Sequence, residues 1–423
     1  MNEIVAVTGL GAIFALAMWR NINMGAVALV VAFLIGVFYF GQSSGDIAAG
    51  FPGGLLITLL GVTFLFGTAR ANGTIDQIVG GAVGAVRGRV ALVPWVFFLL
   101  AAIITGSGAL SAATNAILIP VGLAFAQRYR INPLLVGLSI INGTNAGGFS
   151  PIAVYFNIVE GVLDQVGVTV DPGFLFFWTF VANLLINIAA FIILGGPELI
   201  RRGRENDTAD PTISYLSGGT GVATRTSTWT RQKVVTVALM LGVLVGALGY
   251  KLDVGFLALG SAVILAALFP EHTKEAIGHI GWNVILLIGG IVTYITMLDS
   301  AGVIDGLAES VGGIGTPLIA ALLLLLVAGV VSAFASTNAM FVVLVPLAAP
   351  LLVSGELAVL GFVIALCIAA SAVDSSPFST GGALVVANTE EEKRERTFRG
   401  MMIWGLSMIL IAPVSAWFFF VVL

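Results

Sequence analysis

Charge is what this chain lacks. Only 9% of its 423 residues are charged, against 58% hydrophobic, where a soluble domain carries about 25% charged residues. Such a chain cannot cover itself with polar surface, so lipid must be its solvent; mean hydropathy of +1.08 agrees. Cysteine is nearly absent. The single Cys367 excludes a disulfide framework, and two histidines supply no Cys/His cluster for zinc. There is no basic stripe, which excludes a nucleic-acid partner. No nucleophile–base pair or paired catalytic carboxylates lies within the apolar runs, so an intramembrane enzyme has no support. The start lacks the basic residues and cleavage site of a secretory signal, and residues 3–19 read as a retained span.

What is present is apolar length. Clear spans lie at about 3–19, 23–41, 54–70, 173–195, 234–250, 254–270, 282–299 and 401–423. Two longer apolar stretches, 90–163 and 316–388, are interrupted by Gly, Pro, Ser, Thr and Asn, and read as hairpins and broken helices. Glycine, 53 residues, fits close helix packing and unwound backbone in a membrane. If the Arg20 turn is cytoplasmic and each hairpin enters and leaves on one side, all basic residues but Lys251 fall inside. The expectation is an all-α polytopic membrane protein with about ten transmembrane helices plus two re-entrant hairpins. The multi-pass chain sits in a bacterial-type inner membrane, with both termini outside. The polar segment 197–233, containing "RRGREND", reads as a solvated cytoplasmic loop.

An internal repeat organises the rest. Residues 55–76 align without gaps to 284–305, matching Gly61, Gly73, Ile75 and Asp76 with Gly290, Gly302, Ile304 and Asp305. "TNA" recurs at 114–116 and 337–339, and Ser150-Pro151 matches Ser376-Pro377. The topology places the halves in opposite orientations, an inverted repeat, which in transporters puts the site at the repeat interface. The halves divide as 1–76 and 234–305 (scaffold), 77–196 and 306–423 (transport), joined by 197–233.

Four motifs carry candidate chemistry. "GALSAATNAILIP" (108–120) offers Ser111, Thr114 and Asn115 at a hairpin tip, and "VSAFASTNAMFVVLVP" (331–346) offers Ser336, Thr337 and Asn338. Helix N-termini there suit an anion, and amide and hydroxyl oxygens suit a hard cation such as sodium; hydrogen bonds between helices are the plainer reading. "NGTNAGGFSP" (142–151) cannot continue a regular helix, nor can the run from Asp374 and Ser375 through "SPFSTGG" (376–382). No Lys or Arg lies in 90–127, 131–163, 316–355 or 357–388, so a bound dianion would need co-bound cations. Asp374 is the carboxylate well inside these helices, a functional group by default or a helix cap. His272 and His279 flank a cytoplasmic turn and read as surface residues far from the hairpins. Trp19, Trp282 and Trp404 read as interfacial anchors.

Two inverted halves, each with a Ser/Thr/Asn hairpin tip followed by a broken helix, resemble the ion transporter superfamily. The chain is similar to its divalent-anion sodium symporters, especially the malonate/dicarboxylate carrier group. The stretch 371–388, ending in "SPFSTGGALVVAN", carries the most specific match. The resemblance implies an elevator-type transporter, usually a homodimer, that moves a small dicarboxylate (malonate or a four-carbon acid) by sodium-coupled symport. It implies substrate contacts from Thr114, Asn115, Ser150, Pro151, Thr337, Asn338, Ser376 and Pro377. It implies sodium ligands from Ser111, Asn115, Asn145 and Gly148, and from Ser336, Asn338, Asp374, Ser375 and Ser379. Sodium is the expected coupling ion, with the proton open, and no other cofactor. A cation/proton antiporter of the same superfamily, with Asp374 as carrier, and a membrane subunit of a binding-protein-dependent transporter remain as alternatives.

Overall fold

The structure, a computed structural model, describes residues 2–20, 22–85, 89–165, 167–203, 229–250, 252–303, 317–333 and 358–423. It also describes Thr337, Phe341, Leu344, Val345 and Ala348. The described residues are helical, with no strand among them. In chain order the helices are α1 (Asn2–Arg20), α2 (Met24–Phe38), α3 (Ser44–Ala49), α4 (Gly53–Ala71), α5 (Thr74–Ala85), α6 (Val93–Gly106), α7 (Ser111–Arg128), α8 (Pro133–Gly148), α9 (Val154–Gln165), α10 (Pro172–Ile193) and α11 (Gly196–Arg202). Then come α12 (Arg231–Tyr250), α13 (Val254–Leu268), α14 (Thr273–Gly278), α15 (Trp282–Ser300), α16 (Pro317–Ser332), α17 (Val359–Ala372), α18 (Thr380–Asn388) and α19 (Glu391–Trp417).

Polar residues are spent on helix starts. Asn23 accepts from the N–H groups of Gly25 and Ala26, Asp171 from Phe174, and Asp253 from Phe256. Ser43 and Asp46 form a reciprocal capping box. Between the caps the sequence is apolar, and it stays apolar where it is exposed. Phe174, Leu185 and Ile193 of α10 and Ile403, Leu406 and Leu410 of α19 all face outward, which only a lipid environment makes favourable.

Among the described residues five helical stretches are long and apolar enough to cross a bilayer: Gly53–Ala71, Pro172–Ile193, Trp282–Ser300, Val359–Asn388 and Glu391–Val422. Val254–Leu268 with Pro270–Gly278, bent by 110°, makes a sixth if counted as one span. The remaining apolar helices, Met24–Phe38, Val90–Gly106 and Pro317–Ser332 among them, are shorter. Hairpin arms and half-helices fall below the roughly 20 residues of a full crossing, so helix length alone does not return ten spans.

Glycines set the closest helix contacts, and they follow the repeat. α2 packs on α15 and α13 packs on α4. A Cβ on Gly25 would stand 1.9 Å from the Leu286 carbonyl oxygen, and one on Gly290 1.9 Å from that of Gly25. A Cβ on Gly61 would stand 2.3 Å from the Gly255 carbonyl oxygen, and one on Gly255 2.7 Å from the Thr58 Cα. Gly61 and Gly290 are repeat partners, and Gly25 and Gly255 stand at nearly the same offset. Each half therefore lends one helix to a backbone-to-backbone contact with the other, the geometry small residues give in membranes.

The second group of helices surrounds the two breaks. α8 lies against α6, where Gly143 and Gly147 leave no room for a Cβ beside the carbonyls of Phe98 and Ala102. α6 turns into α7 through Gly108, at φ +107°, a conformation that favours glycine. α8 stops at Gly148 and the chain resumes as α9 after Ser150-Pro151. α17 stops at Ala372, passes through a 3-10 turn, Val373–Ser375, and resumes as α18 after Ser376-Pro377. Both expected breaks stand where the Ser-Pro pairs are.

Several sequence readings need adjustment. Trp404 is no interfacial anchor: it is 7% exposed and packed with Leu134, Met401 and Met408. Trp19 and Trp282 are exposed, and the Arg20 guanidinium lies 4.7 Å over the Trp19 ring. The ends of the polar segment are built into the fold. Arg202 donates to the carbonyls of Tyr129 and Arg130, and buried Lys233 donates to Gln77. Residues 204–228 of that segment lie outside the described residues, as do Ser336 and Asn338.

Candidate functional site

The first hairpin tip is made by Ser111, Thr114 and Asn115, all buried. Ser111 opens α7, and Leu110 at the cap position supplies no side-chain hydrogen bond to its first N–H groups. Thr114 accepts from the Thr105 hydroxyl at 3.1 Å, and the Asn115 carbonyl oxygen accepts from Thr144 at 3.4 Å. The Asn115 amide nitrogen would lie 3.0 Å from a Cβ at Gly381. The tip of the first half thus meets the second half's broken helix.

At the breaks the two halves repeat each other's bonds. Ser150 donates to the Gly106 carbonyl at 2.8 Å, and Ser376 donates to the Ala333 carbonyl at 2.6 Å. Each ties the break to the end of the first arm of its own hairpin. Asn145 donates through its amide nitrogen to the Ser371 carbonyl at 2.8 Å. An amide nitrogen must face that carbonyl, which fixes the amide orientation. The Asn145 carbonyl oxygen is then left buried with no hydrogen-bond partner among the described residues. In the second half the buried Thr337 hydroxyl stands against the Asp374 carboxylate.

Asp374 sits in the 3-10 turn, 7% exposed. It is not the cap of α18. That role belongs to Ser379, whose hydroxyl accepts from the Gly382 N–H at 3.1 Å and bonds the carbonyls of Asp374 and Ser376. Ser375 likewise donates to the Ala372 carbonyl at 2.9 Å. Ser150, Ser375, Ser376 and Ser379 therefore spend their hydroxyl protons locally, while the Asn145 carbonyl oxygen and the Asp374 carboxylate keep free capacity. Pro151 and Pro377 follow the serines in the non-helical breaks, Pro377 buried and Pro151 half-buried.

One residue at the centre goes unremarked in the sequence reading. The buried Tyr155 hydroxyl stands against those of Ser111 and Thr337, in the field of Asp374. Its ring packs on Phe149 and Phe341, centroids 5.5 and 5.4 Å away, and fills the space a Cβ on Gly148 would take, at 2.5 Å. The only sequence signal is one polar-tipped aromatic four residues after the Ser-Pro break. Asn142, which opens the first broken-helix motif, and Asn187 of α10 also have side-chain polar atoms buried without partners among the described residues.

His279 is not remote from the hairpins. It lines one crevice with Thr63, Phe66, Arg70 and the tip residues Leu110 and Ala113. Gly281, two residues on, donates its N–H to Thr63 at 3.3 Å, because the 110° bend turns the chain back toward α4. Burial, then the Arg70 charge, hold the His279 imidazole below its usual pKa, with Glu275 opposing at 3.9 Å.

Residues 1–148 match the family model described as dicarboxylate carrier protein MatC N-terminus. No curated protein matches the chain in sequence. In fold it is similar to the crystal structure of the Alcanivorax borkumensis YdaH transporter, described as having an unusual topology. The TM-score is 0.60 at 13% identity, covering 88% of this chain and 86% of that one. The first 148 residues are thus similar to dicarboxylate carriers, and the chain as a whole shares its fold with a transporter.

Proposed function

We propose that this protein is a sodium-coupled symporter of a small dicarboxylate, malonate or a four-carbon diacid. The halves are inverted in the membrane, and the hairpins and broken helices move against the scaffold helices as an elevator in a homodimer. The central loop and the basic residues face the cytoplasm, and both termini lie outside.

The observation that carries the reading is the buried Asn145 Oδ1 beside the first break, which has no hydrogen-bond partner among the described residues; beside the second break the buried Thr337 hydroxyl stands against the Asp374 carboxylate. A buried acceptor left unpaired costs about 1–3 kcal/mol. That unpaired oxygen in the first half and the buried carboxylate with its hydroxyl in the second, all at positions proposed from the sequence as site residues, are what two transported cations would satisfy. Charge supports it. With no Lys or Arg in 90–127, 131–163, 316–355 or 357–388, a dianion near the tips would meet helix N-termini and hydroxyls and little else. Two sodium ions would balance the carboxylates.

Ser111, Asn115, Asn145 and the Gly148 carbonyl would hold the first ion; Ser336, Thr337, Asn338 and Asp374 the second, with Ser375 and Ser379 shaping the turn. Thr114 and the N–H groups after the two Ser-Pro pairs would face the carboxylates. Uptake of radiolabelled malonate, succinate, citrate and sulfate into proteoliposomes, with and without a sodium gradient, tests the reading. Sodium-stimulated uptake of a diacid is expected; uptake indifferent to sodium overturns symport. A second reading is favoured by Asp374 itself, a buried carboxylate with no cationic partner among the described residues. There the proton is the coupling ion, and uptake follows an imposed pH gradient instead.

A further inference from the structure

The crevice shared by Arg70, His279 and the first hairpin tip takes no part in the coupling described above. Its wall toward the scaffold is Thr63, Phe66 and Arg70 of α4 with His279; its wall toward the hairpin is Leu110 and Ala113. It encloses about 10 Å³, room for one water or one carboxylate oxygen. Arg70 lies in the last turn of α4, half-buried. The helix dipole favours a cation there, yet the guanidinium makes no ion pair or hydrogen bond among the described residues. The place is maintained by close packing. A Cβ on Gly67 would stand 2.7 Å from the Ala276 carbonyl oxygen and 3.0 Å from the His279 Cβ. One on Gly281 would stand 3.2 Å from Leu110. A side chain larger than hydrogen at Gly67 would push His279 and the bend away from α4, and one at Gly281 would press on the Leu110 side chain of the tip.

We propose that Arg70 and His279 form a carboxylate-binding site on the cytoplasmic side of the scaffold, against the tip of the first hairpin, where the dianion is held as it leaves or enters the transport site. The inference rests on the dicarboxylate reading above. Arg70 supplies a fixed charge and a planar fork that matches a carboxylate. His279 supplies a second donor, charged only when protonated. Arg70 on α4 and Glu275 on α14 are the charged groups that face it. Burial and Arg70 favour the neutral ring, and an incoming carboxylate favours the charged one. Anion binding from this side should therefore strengthen as pH falls. The hairpin tip closes the crevice, so sliding of the tip along α4 would open it. The transport core, with no basic side chain of its own, would thus hand its anion to the scaffold's cations rather than directly to water.

The test uses the full chain in right-side-out and inverted membrane vesicles, with radiolabelled malonate and succinate at saturating sodium. Arg70→Gln should raise the KM from the cytoplasmic face about tenfold and leave the KM from the outer face within twofold. Arg70→Lys should recover most of the loss. His279→Gln should abolish the fall in cytoplasmic-face KM between about pH 7.5 and 5.5. Thermal unfolding of each purified variant identifies any that merely fail to fold, and Arg70→Lys then carries the comparison alone. An unchanged KM, an equal change from both faces, or a change from the outer face alone overturns the site while leaving the transporter reading intact. A wild-type chain that moves neither diacid in either vesicle overturns the dicarboxylate reading and this site with it.

Discussion

Asn145 and Ser371 stand at equivalent positions of the two halves, 226 residues apart, and they meet: the Asn145 amide donates to the Ser371 carbonyl at 2.8 Å. The same offset separates the Ser150 and Ser376 hydroxyls, which make corresponding bonds. The two broken helices therefore meet at equivalent positions of the sequence repeat. A residue there can serve both halves, and the oxygen left over on Asn145 is the one proposed above for the first cation.

Asn145→Ala removes both the interhelix bond and the free oxygen. The bond is worth about 1 kcal/mol of stability, and a contact to a charged ligand about 1.5–3 kcal/mol, or roughly 10- to 150-fold in binding. The expected result is a small loss in thermal stability and a rise of at least tenfold in the sodium concentration for half-maximal uptake. Unchanged sodium dependence would remove Asn145 from the cation site.

Asp374→Asn separates charge from shape. Because Ser379 caps α18, the substitution leaves the helix start intact. Relieving a buried charge, whose desolvation costs several kcal/mol, should leave the protein at least as stable. Sodium cooperativity should fall if the carboxylate holds the second ion. If the mutant instead loses all response to a pH gradient while sodium proves irrelevant, Asp374 carries the proton.

Tyr155→Phe keeps the ring against Phe149 and Phe341 and deletes the hydroxyl that faces Ser111 and Thr337. Removing one buried hydrogen-bonding group costs about 1 kcal/mol. Uptake should fall about fivefold or more at low sodium with folding retained. Gly148→Ala, which forces a Cβ to 2.5 Å from that ring, should impair both.

Gly25→Ala and Gly290→Ala should each cost about 3 kcal/mol or more, because backbone cannot yield as a side chain does. Gly11, with nothing within 4 Å, is the control: its alanine should be neutral or stabilising by about 0.5–1 kcal/mol. Thermal unfolding in detergent reads both; equal midpoints for all three would refute the close-contact account.

Cysteines at Asp46 and Glu391 test the sidedness. Asp46, at the start of α3, should react with a membrane-impermeant thiol reagent in intact cells, and Glu391, at the start of α19, only after the inner face is opened. Native Cys367 is fully buried and stays silent. Labelling of both from outside would end the inverted-repeat topology.

The sequence by itself determined the membrane class, the repeat, the two helix breaks and most of the polar residues near them. These are local matters. Apolar runs dictate where lipid must be the solvent, and Gly-Gly or Ser-Pro dictates where a helix stops, whatever packs around it. Only the tertiary structure decided which of those polar residues remain free. Ser379 and Asp374 are equally good caps on paper, and Ser379 won because the 3-10 turn places its hydroxyl, not the carboxylate, at the first turn of α18. Ser150 and Ser376 proved to be ties between break and hairpin. Tyr155 gave almost no signal, and His279 read as a surface residue remote from the hairpins, for the opposite reason. Their neighbours, Ser111, Thr337 and Leu110, come from distant parts of the chain. Such contacts arise from how helices bend and cross, set by glycines such as Gly67 and Gly148 whose role exists only once a partner lies against them.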